Sequence, residues 1–202
     1  LYANTPTAEE LKAKEKKEQV EKQAKEAKQA KTVTPTTVTT PTDSTQNIAA
    51  QAKLGSFGYS ATLPSATDTV TEIKNDVLSL KISNKGGYIV DATILGFDQF
   101  EKNSKKAVQL IKDNNASLNI ALNTTDNRIL NTKDMYFEPK LTTEGKNQVL
   151  TLQLKAGPDQ FLEYRYVLKP KEYMLDFAIR SQGLEKVVNT SKPLDLEWQL
   201  KT

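Results

Sequence analysis

The chain has 202 residues, with 28 Lys and Arg against 25 Asp and Glu, for a net charge of +3. It contains no Cys and no His, which excludes disulfides and thiolate metal sites and removes the commonest general base. So balanced a charge argues against a nucleic acid partner, which calls for a concentrated basic patch, and no run approaches the roughly 20 apolar residues of a membrane span.

The chain starts at Leu1 without a basic-plus-apolar signal region, so an excised or processed piece is expected. Residues 7–31 are nearly all Lys, Glu, Gln and Ala, with eight Lys against six Glu. Thr7 and Glu10 have the spacing of a capping box. Glu10 and Lys14, Glu18 and Lys22, and Glu21 and Lys25 can pair at i,i+4. Only Leu11 and Val20 are larger apolar residues, so no coiled-coil seam exists. The composition predicts a solvated helical stalk over residues 1–31.

Residues 32–47 hold eight Thr and two Pro and read as an extended, low-complexity linker. Asp43-Ser44-Thr45 resembles a short bacterial O-glycosylation sequon. Residues 48–68 scatter Leu54, Phe57, Tyr59 and Leu63 among Gly, Ser and Ala. That stretch completes a lead-in over 32–68 and leaves open whether it lies along the following domain.

From about Val70 the pattern is β. Leu78, Leu80 and Ile82 alternate with Ser79, Lys81 and Ser83. Asn84-Lys85-Gly86-Gly87 supplies a turn. Strands follow at 88–95, 108–111, 118–122, 150–154 and 194–200, and two more flank Lys169-Pro170-Lys171-Glu172. Eight or nine strands without an intervening helix predict an all-β, antiparallel sandwich over residues 69–202.

In the hairpin of residues 162–184, Leu162, Tyr164, Tyr166 and Leu168 share one face, and Leu175, Phe177 and Ile179 share one face of its partner. Burying both faces leaves two registers. One sets Tyr166 opposite Leu175 and Arg165 opposite Asp176; the other sets Tyr166 opposite Phe177 and Glu163 opposite Arg180. Either way the charges read as cross-strand ion pairs on the outer face, so Glu163 and Asp176 are not taken as a catalytic dyad. No residue is assigned a catalytic or metal-ligating role, and no cofactor is expected.

The stretches at 75–100 (NDVLSLKISNKGGYIVDATILGFDQF), 131–139 (NTKDMYFEP), 162–184 (LEYRYVLKPKEYMLDFAIRSQGL) and 196–202 (LEWQLKT) resemble, in order and spacing, the extracytoplasmic domain of the YidC membrane insertase family. The resemblance implies a β-supersandwich, the fold of galactose mutarotases. It implies a place on the periplasmic face of the inner membrane, in a protein embedded through helices absent from this chain. It further implies a non-catalytic domain that helps membrane proteins insert and fold, alone or with the Sec translocon. The partners implied are SecDF, SecYEG and nascent membrane proteins, with Tyr173, Gln182 and Trp198 as the expected contact residues. Trp198 also fits a core position, where such residues more often lie. The family's domain is normally longer than residues 71–202, so a truncated C-terminus is expected, with exposed edges near Leu194–Leu200 that promote self-association. Two other readings follow from the same sandwich. A carbohydrate-binding module would use Tyr88, Tyr136, Tyr173 and Trp198 as a stacking platform. A mutarotase-type enzyme would ordinarily use His as its acid partner, and the chain has none.

Overall fold

The computed structural model describes residues 41–100 and 105–201. The expected stalk over 1–31, and the linker up to residue 40, lie outside the described residues. Among the described residues a helix, α1 (Pro41–Leu54), comes first, where an extended linker was expected through residue 47. A 3-10 turn at Gly55–Phe57 and the short helix α2 (Gly58–Ala61) follow. The next strands are β1 (Val70–Lys74), β2 (Leu78–Ser83), β3 (Ile89–Asp98), β4 (Ala107–Ile111), β5 (Ala116–Asn123) and β6 (Ile129–Asn131). After them come β7 (Glu138–Glu144), β8 (Asn147–Gly157), β9 (Gln160–Leu168), β10 (Leu175–Gln182) and β11 (Asp195–Leu200).

These form three antiparallel sheets, in the orders β1-β2-β3-β4, β10-β9-β8-β7 and β11-β5-β6. Every pairing in the first two sheets joins consecutive strands. The third sheet is closed by β11, which returns from far along the chain to pair with β5. The sandwich expected from the strand pattern is therefore present. The inner faces meet in one core that includes Leu78, Leu80 and Ile82 from β2, Leu118, Ile120 and Leu122 from β5, and Leu150, Leu152 and Leu154 from β8. Each set occupies alternate positions, as burial of one sheet face requires.

Polar side chains lock the layers together. Asn75, in the β1–β2 turn, accepts hydrogen bonds at Oδ1 from the backbone N–H of Val77 (2.9 Å) and Leu78 (2.7 Å). Its Nδ2 donates to the carbonyls of Lys169 and Glu172, both at 2.7 Å. The Tyr166 hydroxyl donates to the Gly87 carbonyl at 2.8 Å, and the Tyr164 hydroxyl meets Thr132 Oγ1 at 3.2 Å. Gly87 has φ +68, and a Cβ there would lie 2.9 Å from the Tyr164 ring, so both the turn and the close approach of the ring call for glycine. The lead-in is also packed: Phe57 is fully buried, and Ser60 Oγ donates to the Tyr136 carbonyl at 2.5 Å.

Of the two registers open for the 162–184 hairpin, the structure adopts the second, with Phe177 opposite Tyr166 and Arg180 opposite Glu163. Two expectations are corrected there. Leu175, Phe177 and Ile179 do not join Leu162, Tyr164, Tyr166 and Leu168 in the core; Leu175 is half-buried, and Phe177 and Ile179 are exposed. β10 is the end strand of its sheet, and its apolar face opens onto a groove instead of an opposing layer. Glu163 is not a surface charge but is buried to 1% exposure. β9 has strands on both sides, so side chains from β8 and β10 close over its outer face. Glu163 Oε2 accepts from Gln153 Nε2 at 2.8 Å and from the Arg180 guanidinium at 3.2 Å. Its Oε1 lies 2.6 Å from Arg180 Nε, without the alignment of a hydrogen bond. Arg165 pairs instead with Glu144 at 2.7 Å, and Asp176 with Lys169 at 3.0 Å. The hydrogen bond to Asp176, with the charges of Asp176 and Glu172, raises the Lys169 pKa.

Candidate interaction groove

End strands of all three sheets, β4, β10 and β11, border a groove of about 400 Å³. Its floor is apolar: Leu78, Leu80, Ala92 and Leu118 come from β2, β3 and β5. Leu110 and Ile111 of β4 close one side. Tyr166 of β9, Leu175 and Phe177 of β10, Trp198 of β11, and the loop residues Tyr88 and Tyr173 complete it. The aromatic side is ordered by ring packing. Phe177 stacks on Tyr166 at 4.7 Å and meets Tyr164 edge-on at 5.6 Å, and Tyr164 in turn packs on Phe137 at 4.8 Å. These separations lie in the range that aromatic pairs favour.

The groove is electrically quiet. Tyr166 is its deepest ionisable group, and burial, with the neighbouring Tyr164, pushes its hydroxyl far above the usual tyrosine range. Burial also pushes Tyr164 up to about 12, against a smaller opposing effect of the Thr132 hydrogen bond. Both stay protonated at physiological pH. No group of three or more acidic side chains that could hold a metal occurs among the described residues. An apolar, aromatic groove of this size is suited to holding apolar side chains.

Tyr173 and Trp198 both line the groove, Tyr173 half-exposed and Trp198 72% exposed. Trp198 thus lies on the surface, not in the core. Gln182 sits elsewhere, at the far end of β10, where its Nε2 donates to the Asp159 carbonyl at 3.2 Å. Three of the four aromatics of the expected stacking platform, Tyr88, Tyr173 and Trp198, converge on the groove. Tyr136 does not; its hydroxyl meets Asp68 at 3.1 Å and its ring lies under Lys85. Sequence reasoning missed Phe177 and Leu175 as groove residues because alternation identifies an apolar face without telling what covers it. It also missed Leu110 and Ile111, whose short strand carries no distinguishing pattern. No helix among the described residues is long and apolar enough to cross a membrane.

The family model described as the YidC periplasmic domain matches residues 70–200. A membrane protein insertase YidC from Parabacteroides distasonis is 34% identical over 154 residues, covering 76% of this chain and 24% of that protein. Its counterpart from Porphyromonas gingivalis is 27% identical over 153 residues, covering 75% of this chain and 23% of the relative. One from Chlorobium luteolum is 27% identical over 146 residues, covering 69% and 24%. The chain spans about a quarter of the length of these curated relatives.

Proposed function

The chain belongs to the YidC periplasmic domain family, and from that premise we propose that it forms the periplasmic part of a membrane protein insertase at the inner membrane. The whole protein inserts and helps fold membrane proteins, alone or with the Sec translocon. This domain performs no catalysis and works by contact. Its partners are SecDF, SecYEG and nascent membrane proteins, and Tyr173 and Trp198 are its contact residues at the groove, with Gln182 on the same strand as Phe177. The observation that carries this reading is the family match over residues 70–200. The groove supports it, because open apolar patches on a folded domain commonly mark sites of protein contact.

Trp198 is the single Trp of the chain, so its fluorescence reports on the groove alone. Titrating the periplasmic region of SecDF, or an apolar nascent-chain peptide, is expected to shift its emission to the blue and to saturate. Tyr173→Ala is expected to weaken that binding about tenfold, as loss of an aromatic anchor does. Flat fluorescence together with flat calorimetry for both partners would remove the groove from the function.

A second reading, carbohydrate binding, is favoured by the convergence of Tyr88, Tyr173 and Trp198. Sugar recognition also needs convergent polar groups, and the polar side-chain groups lining the groove are the Ser117 hydroxyl, the tyrosine hydroxyls and the Trp198 indole N–H, with no carboxylate, amide or cationic side chain among them. Calorimetry against a glycan panel is expected to give no heat. Saturable heat that Trp198→Ala abolishes would favour this second reading.

A further inference from the structure

Asn75 directly follows β1 and is half-buried. An amide side chain both accepts and donates, and this one spends each function on a different wall of the groove. Its Oδ1 accepts from the N–H of Leu78, a floor residue, at 2.7 Å. Its Nδ2 donates to the Glu172 carbonyl at 2.7 Å. That carbonyl shares one rigid peptide plane with the N–H and Cα of Tyr173, a groove residue from the β9–β10 turn. One side chain thus ties the groove floor on β2 to the turn that carries Tyr173.

The turn needs such a tie. Lys171 has φ +58, a left-handed conformation that a residue with a Cβ adopts at a cost and keeps only where its surroundings hold it. The ion pairs of the turn hold it weakly. Lys169 lies 3.0 Å from Asp176 and 4.0 Å from Glu172, but all three side chains are more than 40% exposed, and solvated pairs contribute little. The two hydrogen bonds from Asn75 Nδ2, to the carbonyls of Lys169 and Glu172, flank Pro170 and Lys171 and fix the turn from both sides.

We propose, resting on the contact role proposed for Tyr173, that Asn75 is a positioning residue for that contact. It holds Tyr173 at the groove before a partner arrives, so that binding an apolar peptide segment does not also have to order the turn.

Asn75→Asp separates the two functions, since a carboxylate still accepts from Leu78 but repels the two carbonyls. Labelling with 3-fluorotyrosine reads the turn directly, and Tyr173→Phe identifies the Tyr173 line among those of the seven tyrosines. In Asn75→Asp the fluorine line of Tyr173 is expected to move towards the unfolded position while that of the buried Tyr164 stays. A general loss of stability would not move one line alone. Where Asn75→Asp moves every line by unfolding, Asn75→Ala, which loses the grip without the repulsion, is read in the same way. Titrations with the periplasmic region of SecDF and with an apolar nascent-chain peptide are expected to show about a tenfold loss of affinity in the Asn75 variant, as in Tyr173→Ala. The double variant is expected to bind no more weakly than Tyr173→Ala alone, because both changes act through one contact. An unmoved Tyr173 line, an unchanged affinity in the Asn75 variant, or losses that add in the double variant overturns the positioning role and leaves the contact role of Tyr173 standing. A parent chain that binds neither partner removes the contact role itself, and the positioning role with it.

Discussion

Glu163 lies at an outward position of β9 and is nevertheless 1% exposed, held by Gln153 and Arg180. Glu163→Ala strips Gln153 and Arg180 of their acceptor and opens a void. We expect a loss of about 2 kcal/mol in urea denaturation, because a buried hydrogen-bonding group left without its partner costs that much. Glu163→Gln, which keeps the volume and one acceptor, is expected to lose about half as much. Equal stability of Glu163→Ala and the parent chain would return Glu163 to the surface role that alternation suggested. The buried tyrosines carry a second prediction. Tyr164 ionises near pH 10 when unfolded, but its folded value is pushed up to about 12 by burial. Above pH 10 the unfolded chain therefore binds fewer protons than the folded one. Stability is complete below that pH and falls as pH rises towards 12, by up to about 1.4 kcal/mol per unit for Tyr164, and Tyr166 acts in the same direction. Urea melts at stepped alkaline pH, read alongside tyrosinate absorbance, check this; a flat profile would contradict the burial of both rings.

The 162–184 hairpin shows how far a strand pattern can be read. Period-two alternation assigned the facing of β9 and narrowed the register to two, each with opposite charges across the strands. The structure selects Phe177 opposite Tyr166, where the rings stack, and leaves Lys169 to pair with Asp176. Alternation could not show that Asn75 grips the turn of this hairpin, since that contact spans 94 residues to Lys169 and 97 to Glu172. Four hydrogen bonds converge on that one side chain. Asn75→Ala is expected to cost about 2 kcal/mol or more, and Asn75→Asp, which keeps Oδ1 as an acceptor but sets a carboxylate oxygen against the carbonyls of Lys169 and Glu172, at least as much. Amide exchange should speed at Leu78 in Asn75→Ala alone. Matching exchange in the two variants would count against the assigned roles of the two Asn75 atoms.

At the scale of the whole molecule, the lead-in is part of the domain. Phe57 lies in the core cluster and Ser60 bonds to the Tyr136 carbonyl. Phe57→Ala is expected to cost about 3 to 5 kcal/mol, measured by thermal or urea unfolding; a loss under about 1 kcal/mol would detach that segment from the core. The residues preceding Val70 gave no such sign, because a few apolar residues among Gly and Ser have no period to read. The groove shows the same limit on a larger scale. Composition excluded thiolate and histidine chemistry, and alternation marked the β-sandwich, the turns and most apolar faces. Each of those follows from local geometry, two residues per pleat and a glycine where φ is positive. Only the tertiary structure decided that β11 returns to β5, that β9 is covered on both faces, and that the apolar faces of β10 and Trp198 lie open together. Burial depends on which layers meet, and layers meet through contacts between residues far apart in the chain, which no local pattern records.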